Sequence, residues 1–245
     1  MKTTTDGLTI WEVKTGEADR VITLLTPNGV VSAYAKNSLR PKNKLTSPTS
    51  MLAYSNYELY AGKNMFTVDD AHSITRFTRL AADVEGYSLA IYLCELTKLL
   101  APVEDDATDF LSLLLNSLYL LNEKKRPLWL VKCVFELRAM CYAGYMPDLS
   151  GCSVCGETQQ GGYFDVDNGV ACCADCAASL ARPVNCPAGT MQALRHIVEV
   201  PLKSAFSFTL TDEAKTALCS LCERYVQAHI DHRLGSLDFL KTILT

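Results

Sequence analysis

Residues 151–180 read GCSVCGETQQGGYFDVDNGVACCADCAASL and hold five of the chain's eleven cysteines. Four of them form two pairs, Cys152-x-x-Cys155 and Cys173-x-x-Cys176, with seventeen residues between the pairs. Thiolates bind zinc, and zinc favours four donors at the corners of a tetrahedron. Two Cys-x-x-Cys turns at this separation supply such a set. Between them, YFDV, a DNG turn and VACC read as a β-hairpin. The segment 150–178 is therefore expected to fold as a zinc ribbon closed by Cys152, Cys155, Cys173 and Cys176. Cys172 is the spare thiol: pairing it with Cys176 would give a looser Cys-x-x-x-Cys turn. Four sulfurs leave no open coordination position, so the expected Zn2+ is structural and not catalytic. A redox reading of either pair is weaker, because a thioredoxin-like motif belongs between a strand and a helix.

The rest of the chain changes character near residue 76. Before it, short apolar runs (LTIWEV, RVITLL, GVVSAYA, SMLAYSNYELYA and NMFTV) alternate with turn formers such as TGEAD, TPNG and AGKN. Five short strands in about 70 residues suit a small barrel of the OB-fold type. After residue 76 the apolar period becomes helical. One helix is expected within 75–101, stopped by Pro102. A second, DATDFLSLLLNSLYLLNE, has Asp105 or Asp106 as its N-cap, and a third runs from near Pro127 to Gly144. After the cysteine segment come TMQALRHIVEV, a helix from 212 to 233 capped by Thr211, and SLDFLKTIL. The expected class is α+β: an OB-fold barrel over 1–76, then an α-helical domain over 77–245 that carries the four-cysteine zinc-ribbon insert.

Charge is unevenly placed. The chain carries −4 overall, yet no acidic residue occurs from Val21 to Tyr57, where Lys36, Arg40, Lys42 and Lys44 give +4. The remainder therefore carries −8, which argues against a blanket affinity for nucleic acid and for a local one. A basic loop, NSLRPKNKLTS, on an OB-type barrel is a known way to grip oligonucleotides. Single strands also need aromatics for stacking, and Trp11, Tyr34, Tyr54, Tyr57, Tyr60 and Phe66 are candidates. The competing reading is a protein-interaction scaffold whose loop is only a solvated face.

Other signals carry less. Cys219, Cys222, His229 and His232 resemble a zinc list, but on one helix Cys219 and His232 are ~20 Å apart. Cys94, Cys133, Cys141 and Cys186 read as structural thiols. The chain lacks G-x-x-x-x-G-K-[ST], G-x-G-x-x-G, G-x-S-x-G and H-E-x-x-H, so no enzyme is expected. The first ten residues lack the apolar core of a secretory signal, and FLSLLLNSLYLL is too short to span a bilayer. No membrane association is expected, and the cytoplasm is the expected location.

Three landmarks together resemble the bacterial RecO family of DNA repair and recombination mediators. They are GEADRVITLLTPNGVVSAYAKNSLRPKNK near the start, the cysteine pairs with Gly156, and HIDHRLGSLDFL near the end. The resemblance implies an N-terminal OB-fold, a helical domain and a zinc ribbon. It also implies binding to single- and double-stranded DNA, annealing of complementary strands, and work with RecR and single-strand-binding protein to load RecA. It assigns DNA contact to Lys36, Arg40, Lys42 and Lys44 and, through the charged turn, to Arg20. The nucleoid would be the working location. Two positions depart from the family's pattern: Asn37 replaces the usual Gly after Ala-Lys, and Gly235 replaces a common basic residue before Ser236.

Overall fold

A computed structural model describes residues 2–158 and 160–244. The N-terminal strands are β1 (Lys2–Thr15), β2 (Asp19–Thr26), β3 (Gly29–Ala35), β4 (Ala53–Ala61) and β5 (Phe66–Arg76). They close into a barrel in the order β1-β2-β3-β5-β4. Four contacts are antiparallel. The seam is the parallel contact of β3 with β5 through Ala33–Phe66 and Tyr34–Thr67. This is the OB-type arrangement expected from the five apolar runs. The alternation in β4 sends Tyr57 and Leu59 inward, where they meet Ile22, Leu24, Ala33, Ala35, Val68 and Ala71.

Helices follow: α1 (Val84–Leu100), α2 (Thr108–Asn122), α3 (Leu128–Tyr142), α4 (Ala174–Ser179), α5 (Ala188–Glu199), α6 (Leu202–Ala205), α7 (Asp212–His229) and α8 (Gly235–Leu244). Strands β6 (Gly162–Asp165) and β7 (Val170–Cys173) pair as the expected hairpin. Thr211 caps α7, accepting a hydrogen bond from the Ala214 N–H at 3.4 Å. The residue capping α2 is Ala107, with the Asp106 carboxylate accepting from the Thr108 N–H at 2.9 Å.

One boundary differs from expectation. The helix foreseen within 75–101 begins only at Val84, because Thr75 and Arg76 still pair with Tyr54 and Ala53. A 3-10 turn at Leu80–Ala82 follows, and Asp83 then caps α1 by accepting from Gly86. Long-range strand pairing has overridden a local apolar period that fits either structure.

The chain divides into two compact units, Met1–Lys124 with Leu234–Thr245, and Lys125–Arg233. In the first, α1, α2 and α8 accompany the barrel, with α1 against β1 and α2 against β2. That explains why Leu8, Ile10 and Leu25 are as buried as the barrel interior. In the second, α3 packs on α5 and α7. Among the described residues no helix is long and apolar enough to cross a membrane.

Candidate functional site

The basic loop between β3 and β4 is a chain of tight turns. The Arg40, Asn43 and Thr46 N–H groups donate to the Asn37, Arg40 and Asn43 carbonyls, at 3.0, 3.1 and 3.1 Å. Asn37 takes φ +55°, the left-handed conformation that Asn tolerates better than most residues, so the turn survives without the glycine. Asp19 holds it: its carboxylate accepts from the Asn37 N–H at 2.6 Å and from the Tyr34 hydroxyl. These two donors, the Tyr34 hydroxyl first, keep the Asp19 carboxyl below its usual range. The loop's far end is pinned by Leu45, which enters the barrel core. Tyr57 pins the stretch around Pro48. Its buried hydroxyl donates to the Pro48 carbonyl at 2.6 Å and lies 2.9 Å from Thr9 Oγ1. Burial pushes the Tyr57 pKa up to about 12.

On this frame Lys36, Arg40, Lys42 and Lys44 all stand exposed. Lys44 also reaches Asp70 on β5 at 2.9 Å. Arg20 sits differently. Its side chain is buried, 3.3 Å from Glu12 and 3.3 Å from the Thr46 carbonyl it donates to. It ties β2 to the loop from beneath.

The aromatic candidates divide. Tyr57 is core and Phe66 packs against that core, so neither offers a face for stacking. Trp11 lies under the Lys98 ammonium, 4.6 Å from the ring centroid. Tyr34 is half-buried and engaged with Asp19, while Tyr60 is exposed beside Lys2.

The cysteine segment gathers its sulfurs. The Cys152, Cys155, Cys173 and Cys176 Sγ atoms all lie within 4.8 Å of one another, a set that can hold a metal ion. Cys152 and Cys155 sit on a knuckle closed by the Gly156 N–H to the Cys152 carbonyl at 2.9 Å, with Gly156 at φ +77°. Cys173 ends β7, and α4 starts there and carries Cys176. That short helix was not expected from the sequence. Gly162, opposite Cys173, has φ +150°, and a Cβ there would lie 2.2 Å from the Cys172 carbonyl oxygen. The hairpin can approach this closely only with glycine at that position.

Cys172 and Cys173 are neighbours on a strand, so their side chains take opposite faces. Cys173 joins the four, whereas Cys172 is buried, 3.8 Å from Cys152 Sγ and outside the mutually close set.

The donors fit a thiophilic cation. Four sulfurs at 2.3 Å from one tetrahedral centre are about 3.8 Å apart, and Cys155 and Cys173 are separated by 3.9 Å. The Cys173 and Cys176 N–H groups point at the Cys152 and Cys173 sulfurs, at 3.3 and 3.4 Å. The Cys173 N–H, followed by the Cys155 N–H, brings the Cys152 thiol down to about 5. The adjacent Cys173 and Cys155 sulfurs raise that of Cys176. Thiols this close ionise together only when a cation offsets their charge. Among the other sequence candidates, Cys222 is buried, and His229 Nδ1 lies 2.9 Å from the Tyr225 carbonyl.

Comparison with known proteins places these features in a family. The model described as "Recombination protein O N terminal" matches residues 1–77, and "Recombination protein O C terminal" matches 81–238. The chain is 34% identical to the DNA repair protein RecO of Acetivibrio thermocellus, over 98% of this chain and 96% of that one. It is 27% identical to the DNA repair protein RecO of Symbiobacterium thermophilum, over 97% and 96%. With the one from Heliobacterium modesticaldum it shares 41% identity over 58% of this chain and 51% of that one. With both family models matched in order on a barrel of OB type and a helical region bearing four clustered cysteines, the chain belongs to the RecO family.

Proposed function

We propose that the chain is a non-catalytic, DNA-binding mediator of recombination repair. On this reading it binds single- and double-stranded DNA and anneals complementary strands. With RecR and single-strand-binding protein it helps to place RecA. The observation that carries the reading is the basic loop. Four exposed cations, Lys36, Arg40, Lys42 and Lys44, stand on a frame pinned by Asp19, Leu45 and Tyr57. A pre-ordered frame loses little conformational entropy when the cations meet phosphates. Each contact releases condensed counterions, which gives affinity without reading sequence. Annealing follows from the same physics, because two polyanions approach more readily on a surface that neutralises both. Arg20 supports the loop from below and is assigned a positioning role. The domain division at residue 76 is kept as a functional one, with the barrel gripping DNA and the helical part offering surface to protein partners.

The cysteine cluster is assigned to Zn2+ in a structural role. Cys152, Cys155, Cys173 and Cys176 would hold it, and the ion would supply charge balance and cross-linking to the β6–β7 hairpin. The reading is tested by annealing of two complementary labelled oligonucleotides. Substituting Arg40, Lys42 and Lys44 together by Ala should slow annealing about tenfold or more at low salt. An unchanged rate would leave the loop a solvated face.

A further inference from the structure

We propose that the helical unit carries a second nucleic-acid subsite, a pocket that takes an unstacked base of single-stranded DNA with its phosphate. This deepens the reading under Proposed function and rests on it. The pocket has a volume of about 710 Å³, within the range of ordinary ligand sites, roughly 300–1,000 Å³. Two distant stretches build it, KRPLW at 125–129 and FSFTL at 206–210, joined by Lys215 of α7. Arg126 Nε donates to the Phe206 carbonyl at 2.8 Å and so fixes one stretch against the other.

Its walls combine two chemistries. Trp129 and Phe208 meet edge to face, with centroids 6.3 Å apart and planes at 68°. Each ring is half-buried, so the pair is held while part of its surface faces the pocket. Lys125, Arg126 and Lys215 supply three cations against one carboxylate, Asp212. Lys215 Nζ lies 5.8 Å from the Trp129 ring centroid. The first turn of α3 contains no acidic residue, so its partial positive charge adds to theirs. Aromatic faces beside cations are what a base and its phosphate require, and the combination tolerates any base. Tyr57 and Phe66 of the barrel are taken up by its core, and the helical unit would add a stacking component of its own.

The test uses the full-length chain with Trp11→Phe, which leaves Trp129 as the single tryptophan of the original two. Titration with oligothymidine should quench Trp129 emission as the strand binds, with binding followed in parallel by anisotropy of a labelled strand. An abasic strand of equal charge should bind and leave the emission unchanged. Phe208→Leu, which keeps apolar bulk, should weaken oligothymidine binding about 5-fold or more. Phe208→Tyr, which restores the ring, should recover it. A bound strand with unchanged Trp129 emission would overturn the subsite and leave the loop reading intact. So would equal quenching by the abasic strand, or quenching by a glutamate-rich peptide and not by DNA. Absence of any strand binding would overturn both.

Discussion

The basic loop and the cysteine module are both irregular segments held in one shape, by opposite means. In the loop the charged groups point outward and the backbone supplies the order, through successive turns, Asp19 beneath Asn37, and Leu45 and Tyr57 as anchors. In the module the reactive groups converge on one another, four sulfurs within 4.8 Å, on a knuckle, a hairpin and the start of α4. The first arrangement keeps its chemistry available to a large polyanion. On the proposed reading the second commits its chemistry to one metal ion. On that reading, the cysteine cluster is the clearest chemical signal in the chain while the function lies on an ordinary run of lysines and arginines.

This contrast can be broken at its strongest point first. Cys173→Ser should abolish metal binding and unfold the module, since a structural zinc site contributes about 10 kcal/mol or more to its fold. Cys172→Ser should leave one metal per chain, as measured by elemental analysis beside a thermal melt. Equal loss in both variants would reassign the ligand.

Next, Leu45→Ala should cost about 2–5 kcal/mol, because it empties a filled position in the barrel core, and it should loosen the loop. Denaturant unfolding measures the first effect and amide exchange at 37–50 the second. Tyr57→Phe should cost about 0.5–1.5 kcal/mol, because the Pro48 carbonyl loses one of its two donors and keeps the Ser55 hydroxyl at 2.9 Å.

The smallest effect is at Asp19. Its folded pKa lies below the unfolded value, so it contributes stability above about pH 4. That contribution is lost as pH falls through the folded value. Asp19→Asn should remove this acid-range dependence, read from the Asn37 amide shift between pH 6 and 2.

Much of this was legible in the sequence, unevenly so. Local signals carried well: the five apolar runs became the five strands, Thr211 capped α7, and DNG turned the β6–β7 hairpin. Cys173 is preferred to Cys172 in the sequence because it gives the tighter Cys-x-x-Cys turn, and in the structure the Cys173 sulfur lies in the mutually close set. Features that needed distant partners were not. The period of β4 puts Tyr57 and Tyr60 on opposite faces, but which aromatics keep a free face depends on the elements packed around the barrel, as Lys98 over Trp11 shows. The end of β5 depended on its pairing with Ala53 and Tyr54. The Trp129–Phe208 pocket joins stretches about 80 residues apart, so only the fold brings its rings and cations together.

The central claim, that the loop cations touch phosphates, is tested most directly by the salt dependence of single-stranded oligonucleotide binding. Each phosphate contact on a single strand contributes about −0.7 to the slope of log K against log salt. Replacing Arg40, Lys42 and Lys44 by Ala should therefore flatten the slope by about 2 and weaken binding most at low salt. Parallel lines of equal slope for the two proteins would contradict the account.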